Sequence, residues 1–221
     1  MSPTPSLLAL RSFPAFEELS DTELLRLAQK MRLCSYPKKS VVVRQGEPSN
    51  HIYFLVSGFV KITRGGSLDQ PVSEEHRSHQ RKEVAIAILG PGHMLGELAS
   101  LAETRRSASV ITISDCNLIE LEHTAFIECL ERNPSVALFI IRYLAQRLVE
   151  SNRQVELLRA SVETRIAGLF RKLENSGLPQ DVFPSNAEIG RMVGASREMV
   201  SKVIAKMTTK SSACESETHV S

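Results

Sequence analysis

The spacing of apolar positions along this chain changes twice. Near the N-terminus, Leu24, Leu25, Leu27 and Met31 recur on one helical face, behind Ser20 and Glu23, which have the spacing of a capping box. From about residue 34 to residue 122 the pattern shortens. The runs KSVVVRQGE, HIYFLVSGFVKITR, EVAIAILG, SASVITIS and CNLIELE are β-branched and separated by Gly, Pro, Asn, Asp and Ser. Many short strands with such turns predict a β-sandwich or jelly-roll barrel. Segment 65–83, GGSLDQPVSEEHRSHQRKE, has almost no apolar content and reads as a mobile hairpin loop between two strands.

The second change follows Asn133-Pro134. Asn133 suits an N-cap and Pro134 the first helical position. No Gly or Pro then appears until Gly168, which predicts one helix of roughly 25 residues, longer than the globular average. Leu144, Leu148, Ser151, Val155, Leu158 and Val162 recur at steps of three or four, a narrow seam suited to a partner helix, most simply a second copy of the chain. The plainer alternative is a helix lying on the barrel; the length favours the dimer. Ser161 caps a further helix with Glu163 in its first turn, so a break and a hinge are expected near Ala160–Ser161.

PSNAEIGRMVGASREMVSKVIAKM, residues 184–207, predicts two short helices. Ser185 and Glu188 form another capping box, Gly194 suits the left-handed end of the first helix, and Ser196 caps the second. The second helix turns Val200, Val203, Ile204 and Met207 inward and Arg197, Glu198, Ser201 and Lys202 outward at its N-terminal end. Two helices about a glycine turn describe a helix-turn-helix, whose second helix reads the major groove. An ordinary helical hairpin with a solvated charged face is the competing reading.

Composition narrows the class. With 42% apolar and 24% charged residues in 221, the chain is an ordinary globular one. The net charge of +2 neither argues for nucleic acid nor against it, so any basic surface must be local. The longest apolar run, Val136 to Ile141, is too short for a membrane, and MSPTPSLLALRSF lacks the basic start of a secretory signal. Cys34, Cys116, Cys129 and Cys214 form no CxxC pair, which fits reduced thiols in a cytoplasm. No metal site is expected; His76 and His79 fall in the polar loop and read as solvated. No nucleophile–base arrangement stands out, and no HxH pair supports a jelly-roll enzyme of the cupin type, so catalysis is not expected.

One stretch asks for more than folding. GHMLGELASLAETRRSASV, residues 92–110, sets Gly96 and Glu97 ahead of Arg106, Ser107 and Ala108 in strand-rich surroundings. GELAS followed by RRSASV resembles the phosphate-binding cassette of the CRP/FNR family of bacterial transcription regulators. EIGRMVGASREMVSKVI resembles that family's DNA-reading motif. The resemblance covers roughly residues 15–207 in one order.

It implies an α+β fold: a jelly-roll effector-binding domain at 1–132, a long dimerisation helix at 133–160 and a helix-turn-helix DNA-binding domain at 161–207. In nucleotide-binding members the acid accepts from the ribose 2′-hydroxyl, a role that falls here to Glu97. Arg106, Ser107 and the backbone of Ala108 would take the cyclic phosphate, and Gly96 would let the backbone approach the sugar. The alternative is that Glu97 and Arg106 merely pair under the barrel. Counting back from VETRIAGLF, the adenine-facing threonine of the family falls at Glu150, followed by Ser151. A glutamate there changes base recognition and counts against cyclic AMP, which leaves cyclic GMP, another nucleotide or no ligand as the alternatives.

Ser185, Ser196, Arg197, Glu198, Ser201 and Lys202 are the DNA-facing candidates, with palindromic sites containing TGA as targets. DNA, a second copy, a cyclic nucleotide effector and RNA polymerase are the implied partners. The family's wing hairpin has no counterpart in TTKSSACESETHVS, and 208–221 reads as a disordered tail. Without a wing, Ile204 and Met207 are expected to lose cover. A cyclic-nucleotide-binding module with a weakly DNA-binding C-terminal domain is therefore the second reading.

Overall fold

The strand-rich region forms two four-stranded antiparallel sheets. One contains β1 (Met31–Tyr36), β8 (Cys116–Glu122), β3 (His51–Ser57) and β6 (Met94–Leu95), in that order. The other contains β2 (Val41–Val43), β7 (Ser109–Thr112), β4 (Val60–Arg64) and β5 (Val84–Leu89). The computed structural model describes residues 5–65, 84–157 and 159–217. Most of the expected hairpin loop, 66–83, and the tail end, 218–221, lie outside the described residues. Met31, expected on the first helix, instead opens β1, whose MRLCSY has no β-branched residue to mark it as a strand.

Period two explains how β3 serves two cores. Tyr53 and Leu55, beside Leu95 and Leu118 of their own sheet, face Val43, Val60 and Val110 of the opposite one. Ile52 and Phe54 face helices, against Leu10 of α1 (Leu7–Arg11), Leu24 and Leu27 of α2 (Asp21–Ala28) and Phe126 of α4 (His123–Arg132). Phe13, Phe16 and Phe54 meet edge-on or tilted, with ring centroids 5.0–6.5 Å apart. Because both faces are covered, IYFLV is continuously apolar. The capping box predicted for α2 forms: the Glu23 N–H donates to Ser20 Oγ, and the Ser20 N–H donates to the Glu23 carboxylate.

α5 runs from Pro134 to Leu157. Asn133 precedes it, yet its side-chain amide donates backward to the Cys129 carbonyl of α4. Val136 and Ile140 are buried in the helical core, and Phe139, Tyr143 and Leu144 pack against it. Leu144 therefore belongs to the core and not to the exposed seam. Contacts divide the chain into two units, Met1–Glu150 and Ser151–Ser221, so the division falls inside α5 and not at Ser161.

The second unit holds α6 (Val162–Asn175), α7 (Asn186–Val193) and α8 (Arg197–Glu217) around Ile166, Ile189, Val193, Val200 and Val203. Val162, the last residue of the predicted seam, packs on this cluster. So do Ile204 and Met207, which keep partial cover. Residues 208–217 continue α8 as helix where a disordered tail was expected. TTKSSACESE contains no Gly or Pro, and extending a formed helix costs far less than starting one.

Candidate functional site

α3 (Glu97–Leu101) is a five-residue helix entered through Gly96 in the left-handed conformation, φ 82°. It carries Glu97, Ala99 and Ser100 inward, all buried. Arg106 arrives from the loop before β7 and is 5% exposed. Its Nη1 donates to the Gly96 carbonyl at 2.9 Å and its Nη2 to the His51 carbonyl at 2.5 Å. A Cβ on residue 96 would stand 2.0 Å from Arg106 Nη1. Gly96 is thus required for the guanidinium to reach the backbone, a tighter reason than the approach of a ligand alone.

Glu97 is not paired with Arg106. Its carboxylate accepts a hydrogen bond from Arg147 of α5. Arg147 also lies over the Tyr143 ring, 5.8 Å from its centroid. Sequence reasoning missed Arg147, although a signal existed: Val136, Ile140, Tyr143 and Arg147 follow steps of three and four that continue the buried face of α5. Burial pushes Glu97 above the usual carboxylate range, against the opposing pull of Arg147 and, less strongly, Arg106. Burial likewise pulls Arg106 down, although a guanidinium stays charged in proteins.

The result is a buried cation whose described hydrogen-bond partners are neutral carbonyls. Two of its five donors are engaged in these bonds. Ser107 and Ala108 follow it, half-buried, and their N–H groups donate to no described residue. A charge held so deeply calls for a counter-charge, and a fork of N–H donors beside successive backbone amides suits a phosphate. Glu150 and Ser151 stand three and four residues after Arg147, one turn on along α5.

Arg147 gives a test by pH. A carboxyl with a raised folded pKa binds its proton more tightly folded than unfolded. Its stabilising contribution is complete below the unfolded value of about 4.3 and is lost as pH climbs through the folded value. Arg147→Met removes the largest opposing charge and moves that value further up. The variant's thermal midpoint should fall increasingly below wild type between about pH 4 and pH 7. A gap between the two that stays constant with pH would contradict the pairing.

In the second unit, α7 ends at Gly194, φ 67°, and Arg165 Nη1 donates to the Val193 carbonyl at 2.6 Å. Ser185 and Ser196 act as caps: Ser185 accepts from the Glu188 N–H and Ser196 from the Met199 N–H. Ser201 Oγ accepts from Asn186 Nδ2 at 2.9 Å, which ties α8 to the start of α7. Arg197, Glu198, Ser201 and Lys202 all face solvent on the first turns of α8. Glu198 is held below the usual carboxylate range by its own backbone N–H and by Ser196, so it is ionised at neutral pH.

Fold and cassette together define a cyclic nucleotide-binding domain, and the family of that description matches residues 33–133. The cyclic AMP receptor protein of Thermus thermophilus is 29% identical over 196 residues, 88% of this chain and 85% of that one. The cAMP-activated global transcriptional regulator CRP of Haemophilus influenzae is 30% identical over 180 residues, covering 78% and 75%. The crystal structure of Thermus thermophilus catabolite activator protein superposes with a TM-score of 0.54 at 28% identity, covering 90% of this chain and 88% of that one. The chain belongs to the CRP/FNR family of transcription regulators. Among the described residues no helix is long and apolar enough to cross a membrane.

Proposed function

We propose that the protein regulates transcription by binding a cyclic nucleotide at the Gly96–Arg106 cassette and, as a homodimer, palindromic DNA through the first turns of α8. The carrying observation is Arg106, buried, charged and hydrogen-bonded to carbonyls alone among the described residues. In this reading the cyclic phosphate takes the remaining Arg106 donors together with Ser107 and the Ala108 N–H. Glu97 accepts from the ribose 2′-hydroxyl with lone pairs that Arg147 leaves open. Glu150 meets the base, and a carboxylate, which only accepts, favours the donor-rich edge of guanine.

Arg197 suits guanine O6 and N7, Glu198 suits cytosine N4, and Lys202 reaches a guanine or a phosphate. Contact with RNA polymerase and a cytoplasmic location belong to the same reading by family likeness. Calorimetric titration with cyclic AMP, cyclic GMP and cyclic di-GMP tests the effector. Anisotropy on a TGA-containing palindrome, with and without the bound nucleotide, tests the response. No binding by any of the three would remove the effector half of the proposal, and no palindrome preference would remove the other.

The dimer seam keeps Leu148 and Val155 of the one read in the sequence and takes Ile141 in place of Leu144, which the helical core holds. Ile141, Leu148 and Val155 are each more than 60% exposed and lie seven residues apart, with Leu138, Ala145 and Asn152 between them in register. That is a heptad, the repeat of two helices wound together. Each Leu buried in such a seam contributes about 1.5–3 kcal/mol, counted twice in a symmetric pair. Leu148→Glu should convert a dimer to a monomer in sedimentation at micromolar chain. A variant that sediments like wild type would show that this face does not carry association.

A further inference from the structure

α3 is one turn and a half long, too short to hold its own position, yet it presents Glu97. Something outside the helix must fix it. Ser100 lies three residues after Glu97, is 1% exposed, and shares a 2.5 Å hydrogen bond with Nδ1 of His123. His123 is the first residue of α4, directly after β8, and its own backbone N–H donates to the Asn50 carbonyl at 2.8 Å. The next residue along β3, His51, supplies the carbonyl that takes Arg106 Nη2. The imidazole therefore ties the acid-bearing helix to the strand end that also holds the arginine.

We infer that His123 is a positioning residue for effector binding, holding Glu97 in place through Ser100 so that its carboxylate meets a ribose 2′-hydroxyl. The inference rests on the cyclic-nucleotide reading above. Its geometry is specific in two ways. The Ser100 hydroxyl has no other described partner, so its direction is set by His123. A buried serine facing a ring nitrogen also fixes the rotation of α3 about its axis, and that rotation decides where Glu97 points. Arg106 bonds the backbone carbonyls of Gly96 and His51 and neither of the two side chains of this link, so its own anchors remain when either side chain is cut back. Loss of the histidine should therefore damage recognition of the sugar and leave recognition of the phosphate.

That asymmetry is measurable with the full chain. Affinity is determined by calorimetry for the cyclic nucleotide that wild type binds best and for its 2′-deoxy form. A hydrogen bond to a charged group corresponds to a ribose preference of about tenfold or more in wild type. His123→Ala should bring that preference to within about two- to threefold, with 2′-deoxy affinity nearly unchanged. Ser100→Ala removes the same bond without altering the β8–α4 junction and should give the same result, which guards against a folding defect in the histidine variant. His123→Asn, whose amide can occupy the Nδ1 position, should recover most of the preference.

Retention of the wild-type preference in both alanine variants would overturn the inference. Equal loss for the ribo and deoxy forms would also overturn it, since that is the result of a general loosening of the site. A wild type that binds both forms equally, or neither, places the failure one step earlier, in the reading of Glu97 itself, and the inference falls with it.

Discussion

Arg106→Ala should abolish measurable binding of a cyclic nucleotide at concentrations that saturate wild type. Charge-assisted hydrogen bonds contribute about 1.5–3 kcal/mol each, which corresponds to about tenfold to a hundredfold in affinity per bond lost. The guanidinium also holds the Gly96 and His51 carbonyls together. Its removal leaves the part-buried His51 carbonyl without its described side-chain partner, at about 1–3 kcal/mol, while the Gly96 carbonyl keeps only the Ser100 N–H at 3.3 Å. A lower melting temperature of the first unit should therefore accompany the lost binding. Arg106→Lys separates the two effects: an ammonium keeps the charge but lacks the planar fork that reaches two carbonyls and a phosphate at once. Calorimetry and thermal melting of the three proteins decide the matter. Unchanged affinity in the alanine variant would remove Arg106 from the effector site and return it to a purely structural role.

The second large effect is a pair of identical substitutions with opposite signs. A Cβ at Gly190 in α7 would lie 2.6 Å from the Ala195 carbonyl oxygen, a backbone atom that cannot swing aside. The Gly190 carbonyl also accepts from both the Gly194 and the Ala195 N–H groups, so the helix and the turn are bonded at their closest approach. Gly190→Ala should force the helix and turn apart and destabilise the second unit by about 1–3 kcal/mol. The displaced α8 should then hold DNA more weakly. Gly168 sits inside α6 with nothing within 4 Å of an added Cβ. There the same change only lowers backbone entropy in the unfolded chain, and about 0.5–1 kcal/mol of stabilisation is expected. Urea unfolding of the two variants, followed by a probe of the second unit, should move its midpoint in opposite directions. A stabilised Gly190→Ala protein would show that the close approach in α7 is not obligatory.

The amino-acid sequence alone determined the order of elements. Its capping boxes at Ser20 and Ser185, the glycine at 194 and the change in apolar period are local signals, fixed within a few residues by hydrogen-bonding capacity and backbone freedom. The stretch with Gly96, Glu97, Arg106 and Ser107 stood out through its resemblance to the family's cassette, which a short run of chain carries. Elements without such signals were hidden: β1 has no β-branched residue, and its place beside β8 is fixed by pairing across the sheet. The tertiary structure decided what each signal was for. Glu97 turned out to face Arg147, fifty residues away, because the first half of α5 packs in the helical core against the outer face of the β3 sheet. Gly96 turned out to make room for Arg106. The exposed seam on α5 kept Leu148 and Val155 and took Ile141 in place of Leu144, which the helical core had claimed, while Val162 opened α6 and joined the core of the second unit. A helix has several apolar stripes to offer, and only the rest of the fold determines which of them remains exposed.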